Sequence, residues 1–231
     1  SYGEALVAFR DVRALDDIEA RIDRQRDPDL HTYLHDLVAR LSAIRDLGAD
    51  VDAWSEKLRS PEASMRLVAV RALAAIANDA SAAALAAGFD DASREDRIEI
   101  LRSIGERADP HAAPLLERVL LSDAFDVGDG PVLRSWAAWA VQELDPPGAL
   151  DLLERAVVRR DGVDGGVLIR YGVVGGGEVA DRIDGYRDAR LRVPYWFRGE
   201  AQDVLDQLVR DLRAGRDVER YRPPPRDDIK Y

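Results

Sequence analysis

The stretch KLRSPEASMRLVAVRALAAIAN, residues 57–78, decides the fold. Ser60 and Pro61 stand where a helix can begin. Serine is a favoured N-cap, and proline suits the first helical position because its missing N–H would have no intrahelical partner there. Downstream, Ala69, Leu73 and Ile76 recur at the i, i+4, i+7 interval that puts them on one helical face. Arg66 precedes Ala69 by three residues, so the skeleton reads Arg-x-x-Ala-x-x-x-Leu.

That skeleton returns along the chain. Arg97, Ile100 and Ile104 carry it in REDRIEILRSIGERADP, Arg134, Ala137 and Val141 in VLRSWAAWAVQELDP, and Arg198, Ala201 and Leu205 in WFRGEAQDVLDQL. Copies without the arginine fit Leu34, Leu37, Leu41 and Ile44, and again Val167, Tyr171 and Val174. Successive copies lie 32, 31, 37, 30 and 34 residues apart. Each is followed by a break rich in Asp, Gly or Pro and then by a shorter apolar segment, as in DPHAAPLLERVLLSD and DPPGALDLLERAVVRR. A helix pair cannot bury its apolar stripe alone, so a near-constant period of this length predicts pairs that stack on one another.

The unit Ser-Pro-Glu-x-x-x-Arg-x-x-Ala-x-x-x-Leu-x-x-Ile at residues 60–76 resembles the short HEAT repeat of the phycobilisome-lyase-like class. The resemblance extends over roughly residues 28–214 and is closest over 50–160. It implies antiparallel helix pairs in a right-handed stack, with first helices outside and second helices lining a concave face. The expected fold class is all-α, a right-handed α-α superhelix (HEAT-like solenoid) of about six helix pairs plus an N-terminal capping helix near residues 3–13. The pairs fall near 15–25 and 29–46, 50–59 and 62–77, 80–88 and 93–106, 111–122 and 131–144, 148–160 and 165–174, and 177–187 and 195–213. Strand signals are scarce. The run VLIRYGVV at 167–174 reads as a helix because Gly175 to Gly177 stop it at the expected register. The expected organisation is one repeat domain over 1–214 and a Pro/Arg-rich tail over 215–231.

Charge narrows the function classes. The chain of 231 residues has a formal net charge of −11, with 31 Asp against 13 Glu and 31 Arg against two Lys, Lys57 and Lys230. An Asp-rich, Lys-poor surface fits a salt-adapted cytoplasm, where a Debye length of about 3 Å at molar salt mutes self-repulsion. A GC-rich genome would also enrich Arg, Ala, Gly and Asp. Either origin weighs against gripping a nucleic-acid backbone, which needs concentrated positive surface. With no cysteine, disulfides, thiolate metal sites and cysteine nucleophiles are excluded. No apolar run approaches a membrane span of roughly 18 residues. The N-terminal SYGEALVAFRDVR lacks the basic-then-apolar order of a signal peptide, so a cytoplasmic location is expected.

Groups able to carry chemistry are few. His31 and His35 sit four apart in HTYLHD, on one helical face, with Asp27 and Asp36 nearby. Thr32 stands where the zincin motif needs glutamate, so the pair reads as two partly exposed histidines, and no metal or cofactor is expected. The loop SDAFDVGDG at 122–130 holds three aspartates without EF-hand spacing and reads as a solvated loop. RPPPR at 222–226 reads as a strap or a polyproline ligand. The His-Glu pairs of the iron-dependent hydroxylases built on HEAT repeats are missing, and no phosphate loop or nucleophile elbow is present.

The repeat arginines Arg66, Arg97, Arg134 and Arg198 are expected to bond carboxylates or carbonyls of adjoining units. Five residues further along each second helix stand Arg71, Arg102, Trp139, Ile169 and Asp203. At about 100° per residue this row lies some 160° from the core-facing stripe, so it is expected to point outward. Trp136 lies only about 60° round the same helix from Trp139. Exposed tryptophan beside arginine has the composition of an interface hot spot; the alternative is that both indoles pack against a neighbouring repeat or the 122–130 loop. The candidate partner-binding residues are therefore Arg71, Arg102, Trp136 and Trp139, with Glu106 and Glu143 one turn on to repel acidic partners.

The function expected from these features is a non-catalytic protein-binding scaffold or adaptor. Two alternatives stand beside it: a structural subunit of a larger assembly, and an enzyme on a HEAT-like scaffold. The resemblance could imply a chromophore lyase. HEAT-like alkylpurine DNA glycosylases are loosely echoed by Trp136, Trp139 and Asp145, against the acidic net charge.

Overall fold

A computed structural model describes residues 12–22, 25, 27–125, 128–159, 162–186, 191–192, 201–216 and 218. The protein is all-α in a HEAT-like arrangement. It divides into two compact units, residues 1–91 and 92–231.

In the first unit α1 (Leu15–Ile22) packs on α2 (Pro28–Leu47), and α2 on α4 (Ala63–Ile76). The short α3 (Val51–Lys57) and α5 (Asp79–Asp91) cover the other side of α4. Asp27 caps α2 by accepting from the amides of Asp29 and Leu30, and Asp50 caps α3 by accepting from Ala53. Leu41, Trp54, Ala69, Leu73, Leu85 and Phe89 close the core. The indole N–H of Trp54 donates to the carbonyl of Gly48, 3.0 Å away, so the largest side chain in this core leaves no buried donor unpaired.

In the second unit α6 (Arg94–Arg107), α8 (Gly130–Leu144), α10 (Gly165–Gly175) and α12 (Ala201–Arg213) pack side by side in that order. The shorter α7 (Ala113–Leu121), α9 (Ala149–Val157) and α11 (Ala180–Asp184) each lie against the helix that follows them, and α7 touches α9. Thus the alternation of short and long helices in sequence becomes two layers in space. A small sheet, not expected from the sequence, joins the α9–α10 connection to the segment after α11. In it β1 (Val158–Arg159) runs antiparallel to β2 (Gly162–Asp164), which pairs in parallel with β3 (Leu191–Arg192). Residues 167–174 are helical, as Gly175 to Gly177 imply.

The repeat register is visible in the backbone. Helices α4, α6 and α8 end on Ala77, Ala108 and Asp145, all left-handed with φ of 50°, 49° and 42°. Their spacings of 31 and 37 residues equal those of Arg66, Arg97 and Arg134. After α6 the amide of Asp109 reaches back to the carbonyl of Ile104, closing the helix with a Schellman bond. One boundary differs from expectation: α4 starts at Ala63 with Glu62 as N-cap, not at Pro61 after Ser60. Arg66 holds the carbonyls of both Ser60 and Pro61, and Ser60 Oγ accepts from Glu62, which keeps those residues in a turn ahead of the helix. Of the capping helix expected near 3–13 only Val12 and Arg13 are described, in a 3-10 turn over Val12–Ala14, and the tail motif RPPPR lies outside the described residues.

Candidate functional site

The long-helix layer of the second unit brings together Arg102 and Glu106 on α6 with Trp136, Trp139 and Glu143 on α8. Arg102 lies with its guanidinium carbon 5.9 Å from the centre of the Trp136 ring. Its Nε donates to Glu106 Oε1 at 3.0 Å, an i, i+4 pair on the same helix. Trp136 and Trp139 meet edge to face, with ring centres 5.6 Å apart and planes at 87°. Trp139 lies over Gly105: a Cβ at that glycine would come within 2.6 Å of Trp139 Cζ3 and 3.1 Å of the Ala140 Cα. Only glycine allows α6 and α8 to approach this closely.

Exposure corrects the outward placement of this group. Trp136 is 3% exposed and Arg102 only 7%, whereas Trp139 and Glu143 are half-buried and Glu106 is open to solvent. Ile169, in the same row of the repeat, is also buried, and Asp203 is exposed. The angular argument treats a second helix as covered on one side. Here α8 is covered by α7, α6 and α10, so a residue 160° from the stripe facing one neighbour meets another. Arg71, on α4 of the first unit, is half-buried. Arg102 is therefore not a free cation: Glu106 neutralises it, an indole covers it, and its Nη1 is enclosed without an acceptor among the described residues. What faces solvent is the edge of Trp139 and the two carboxylates.

Two of the repeat arginines hold the segments that lead into their helices. Arg134 is completely buried and donates from Nη2 to the carbonyl of Ser122 at 3.1 Å, tying α8 to the end of α7. Arg66 does the same for the turn before α4. Both bond carbonyls of their own pair's connecting segment. Arg170 carries the link between pairs, donating from α10 to Gln142 Oε1 on α8 at 3.1 Å. Arg198 lies outside the described residues.

The short-helix layer carries a different electrostatic pattern. Arg155 bridges Asp151 on its own helix and Glu117 on α7, at 3.0 and 3.4 Å. Arg182 on α11 reaches Glu154 on α9 at 2.7 Å and also donates to the hydroxyl of buried Tyr171. That Tyr171 bond first, and the Glu154 charge second, raise the Arg182 pKa further. Arg213 closes the row on Asp181 and Asp184. A shallow open pocket of about 330 Å³ lies between α7 and α9, lined by Pro114, Pro146, Pro147 and Leu152 with the Arg155 cluster at its rim.

Two sequence candidates remain. His31 and His35 lie together on α2 with ring centres 4.4 Å apart. In the 122–130 loop Asp129 pairs with Arg94 at 2.8 Å and Asp123 opens a short 3-10 turn; Asp126 lies outside the described residues. Asp145, the third member of the glycosylase-like trio, is an exposed left-handed cap whose amide donates to Val141.

A family model for HEAT repeats matches residues 51–130, the span from the start of α3 to the first residue of α8. This segment is HEAT-repeat sequence, in agreement with the paired helices it forms. No curated protein and no solved structure matches the chain. Among the described residues no helix is long and apolar enough to cross a membrane.

Proposed function

We propose that this chain is a non-catalytic protein-binding scaffold or adaptor, and that in its second unit the partner docks on the solvent edge of α6 and α8. The observation that carries the reading is the Arg102–Trp136–Trp139 stack with Glu106 and Glu143 at its rim. Indoles already held by their neighbours lose little rotamer freedom on binding, which is why tryptophan dominates interface energetics. Trp139 supplies the aromatic edge, Trp136 and Arg102 support it from beneath, and the carboxylates select a basic rather than an acidic partner. Arg71 is a contact of the first unit in its own right. HEAT repeats commonly serve such scaffolding. The phycobilisome-lyase-like subclass rests on the Ser-Pro-Glu-x-x-x-Arg unit, whose arginine holds the Ser60–Pro61 turn, and a cytoplasmic location rests on the Lys-poor acidic composition.

The test is affinity purification from the native host with the full chain and with Trp139→Ala and Glu106→Lys. A protein retained by the parent chain should lose at least roughly 2 kcal/mol of affinity for Trp139→Ala, within the hot-spot range, while the variant keeps its helical circular dichroism. A partner held equally by both variants would place the interface elsewhere.

A further inference from the structure

We propose that His31 and His35 form a two-ligand site for a borderline transition-metal dication, Cu2+, Ni2+ or Zn2+, on the exposed face of α2. The site is independent of the docking surface in the second unit.

The two rings are near enough to share one ion. Two imidazoles bound to one ion at about 2.0–2.1 Å hold their ring centres about 5 Å apart by the same geometry, and here the centres lie 4.4 Å apart at 61°. Rotation about the side-chain bonds of each histidine would turn one nitrogen of each ring toward a common ion. The backbone itself is fixed at this point: His31 donates its amide to Asp27, Thr32 donates its hydroxyl to Pro28, and Asp27 caps the first turn. Residues four apart stay on one face over α2's 20 residues. His35 is exposed and His31 half-buried, so an ion reaches both.

Electrostatics and ligand type then define the guest. The positive end of the helix dipole would oppose a cation, but the Asp27 and Asp29 carboxylates in the first turn offset it. Asp36, adjacent to His35, is engaged by Arg40 at 2.9 Å and by Ser64, so it is not a third ligand. Among the described residues no cluster of three or more His, Cys, Asp or Glu is arranged to hold a metal. The pair therefore supplies two nitrogens and leaves the other positions to water, an open site of modest affinity. Imidazole prefers Cu, Ni and Zn, whereas Mg, Ca and Mn prefer carboxylate and water. That preference separates the site from the diffuse cation atmosphere of a chain with net charge −11.

Isothermal titration of the full chain with NiCl2, in about 10 mM MgCl2 to saturate carboxylates, tests the assignment. The expected result is one Ni2+ per chain, bound at least about tenfold more tightly than Mn2+. His31→Gln and His35→Gln should each lose at least about tenfold, as loss of one of two ligands requires, while His111→Gln should leave binding unchanged. With CuCl2, electron paramagnetic resonance should show nitrogen coupling that disappears in the double variant. Ni2+ bound no better than Mn2+, Ni2+ displaced by Mg2+, or full binding in the histidine variants would overturn the proposal.

Discussion

Gly105→Ala is the sharpest test of how α6 and α8 meet. In an exposed helix interior the change would stabilise the protein by about 1 kcal/mol, because alanine is the better helix former. At this position the added methyl would stand 2.6 Å from Cζ3 and 3.0 Å from Cε3 of Trp139, and 3.1 Å from the Cα of Ala140. Relief by the side chain alone requires the indole to move by about 1 Å to reach an ordinary carbon contact. That movement degrades the edge-to-face contact with Trp136, worth about 0.5–1.5 kcal/mol. The Ala140 contact is backbone, so the helices must also separate slightly, and overpacking of this kind costs about 1–3 kcal/mol. Against the propensity gain, the net loss is about 1–3 kcal/mol. Urea unfolding followed by far-ultraviolet circular dichroism and by tryptophan fluorescence reads it as a lower midpoint at unchanged slope.

Two companions sharpen the reading. Gly172→Ala meets only the methyl ends of Ile183, Leu212 and Leu208, at 2.9 to 3.3 Å, which can swing aside, so its cost should be smaller. In a Trp139→Leu background the ring clash is gone, and Gly105→Ala should lose most of its penalty; this coupling is what a double-mutant cycle measures. A neutral or stabilising Gly105→Ala in the parent chain would refute the close approach of the helices, and with it the packed position of Trp139.

Three further outcomes follow from other parts of the fold. Ala108→Gly should raise stability by about 0.5–1 kcal/mol in urea unfolding, because the left-handed cap strains an alanine by about 1–2 kcal/mol while glycine gives back part of that through unfolded-state entropy. Arg134→Ala should cost about 3 kcal/mol and Arg66→Ala about half that, since the first empties a fully buried site and the second leaves turn carbonyls that water can reach; equal costs would refute the distinction. Thermal melts should show the melting temperature rising between about 0.1 M and 2 M KCl, because screening relieves the self-repulsion of the acidic surface. The exposed pairs of Arg155, Arg182 and Arg213 also weaken with salt, but such surface pairs contribute little, so a flat or falling curve would favour a compositional rather than a salt-adaptive origin of the charge.

The helix pairs were legible because their signal is periodic. The spacings of 31 and 37 residues reappear as left-handed caps at Ala77, Ala108 and Asp145, and segment boundaries over residues 28–175 agree with the structure to within a few residues. The small sheet was not legible, since strands of two and three residues are too short to show an alternating pattern. Nor was the route of Arg66 and Arg134: a guanidinium that bonds carbonyls leaves no complementary residue type in the sequence.

The position of the tryptophans was readable by a different signal from the one that placed them outward. From Pro131 to Val141 helix α8 carries one charged residue, Arg134, and a helix apolar all round is a buried helix, whereas α9, with Asp151, Glu154 and Arg155 on one side, is amphipathic. Charge and amide resume at Gln142 and Glu143 on α8 and at Glu106 and Arg107 on α6. Solvent meets α8 at this C-terminal turn, as it meets α6 at both ends, and half-buried Trp139 stands one turn before Glu143. Under the proposed docking, a partner approaching from that end meets Glu106, Arg107 and Glu143 together with the partly exposed Trp139. A cationic partner group would add to the pairs these carboxylates already make, Glu106 with Arg102 and Glu143 with Gln142, whereas an acidic one would be repelled by them. The basic character proposed for the partner thus rests on Glu106 and Glu143 at the docking edge, and not on the net charge of the chain.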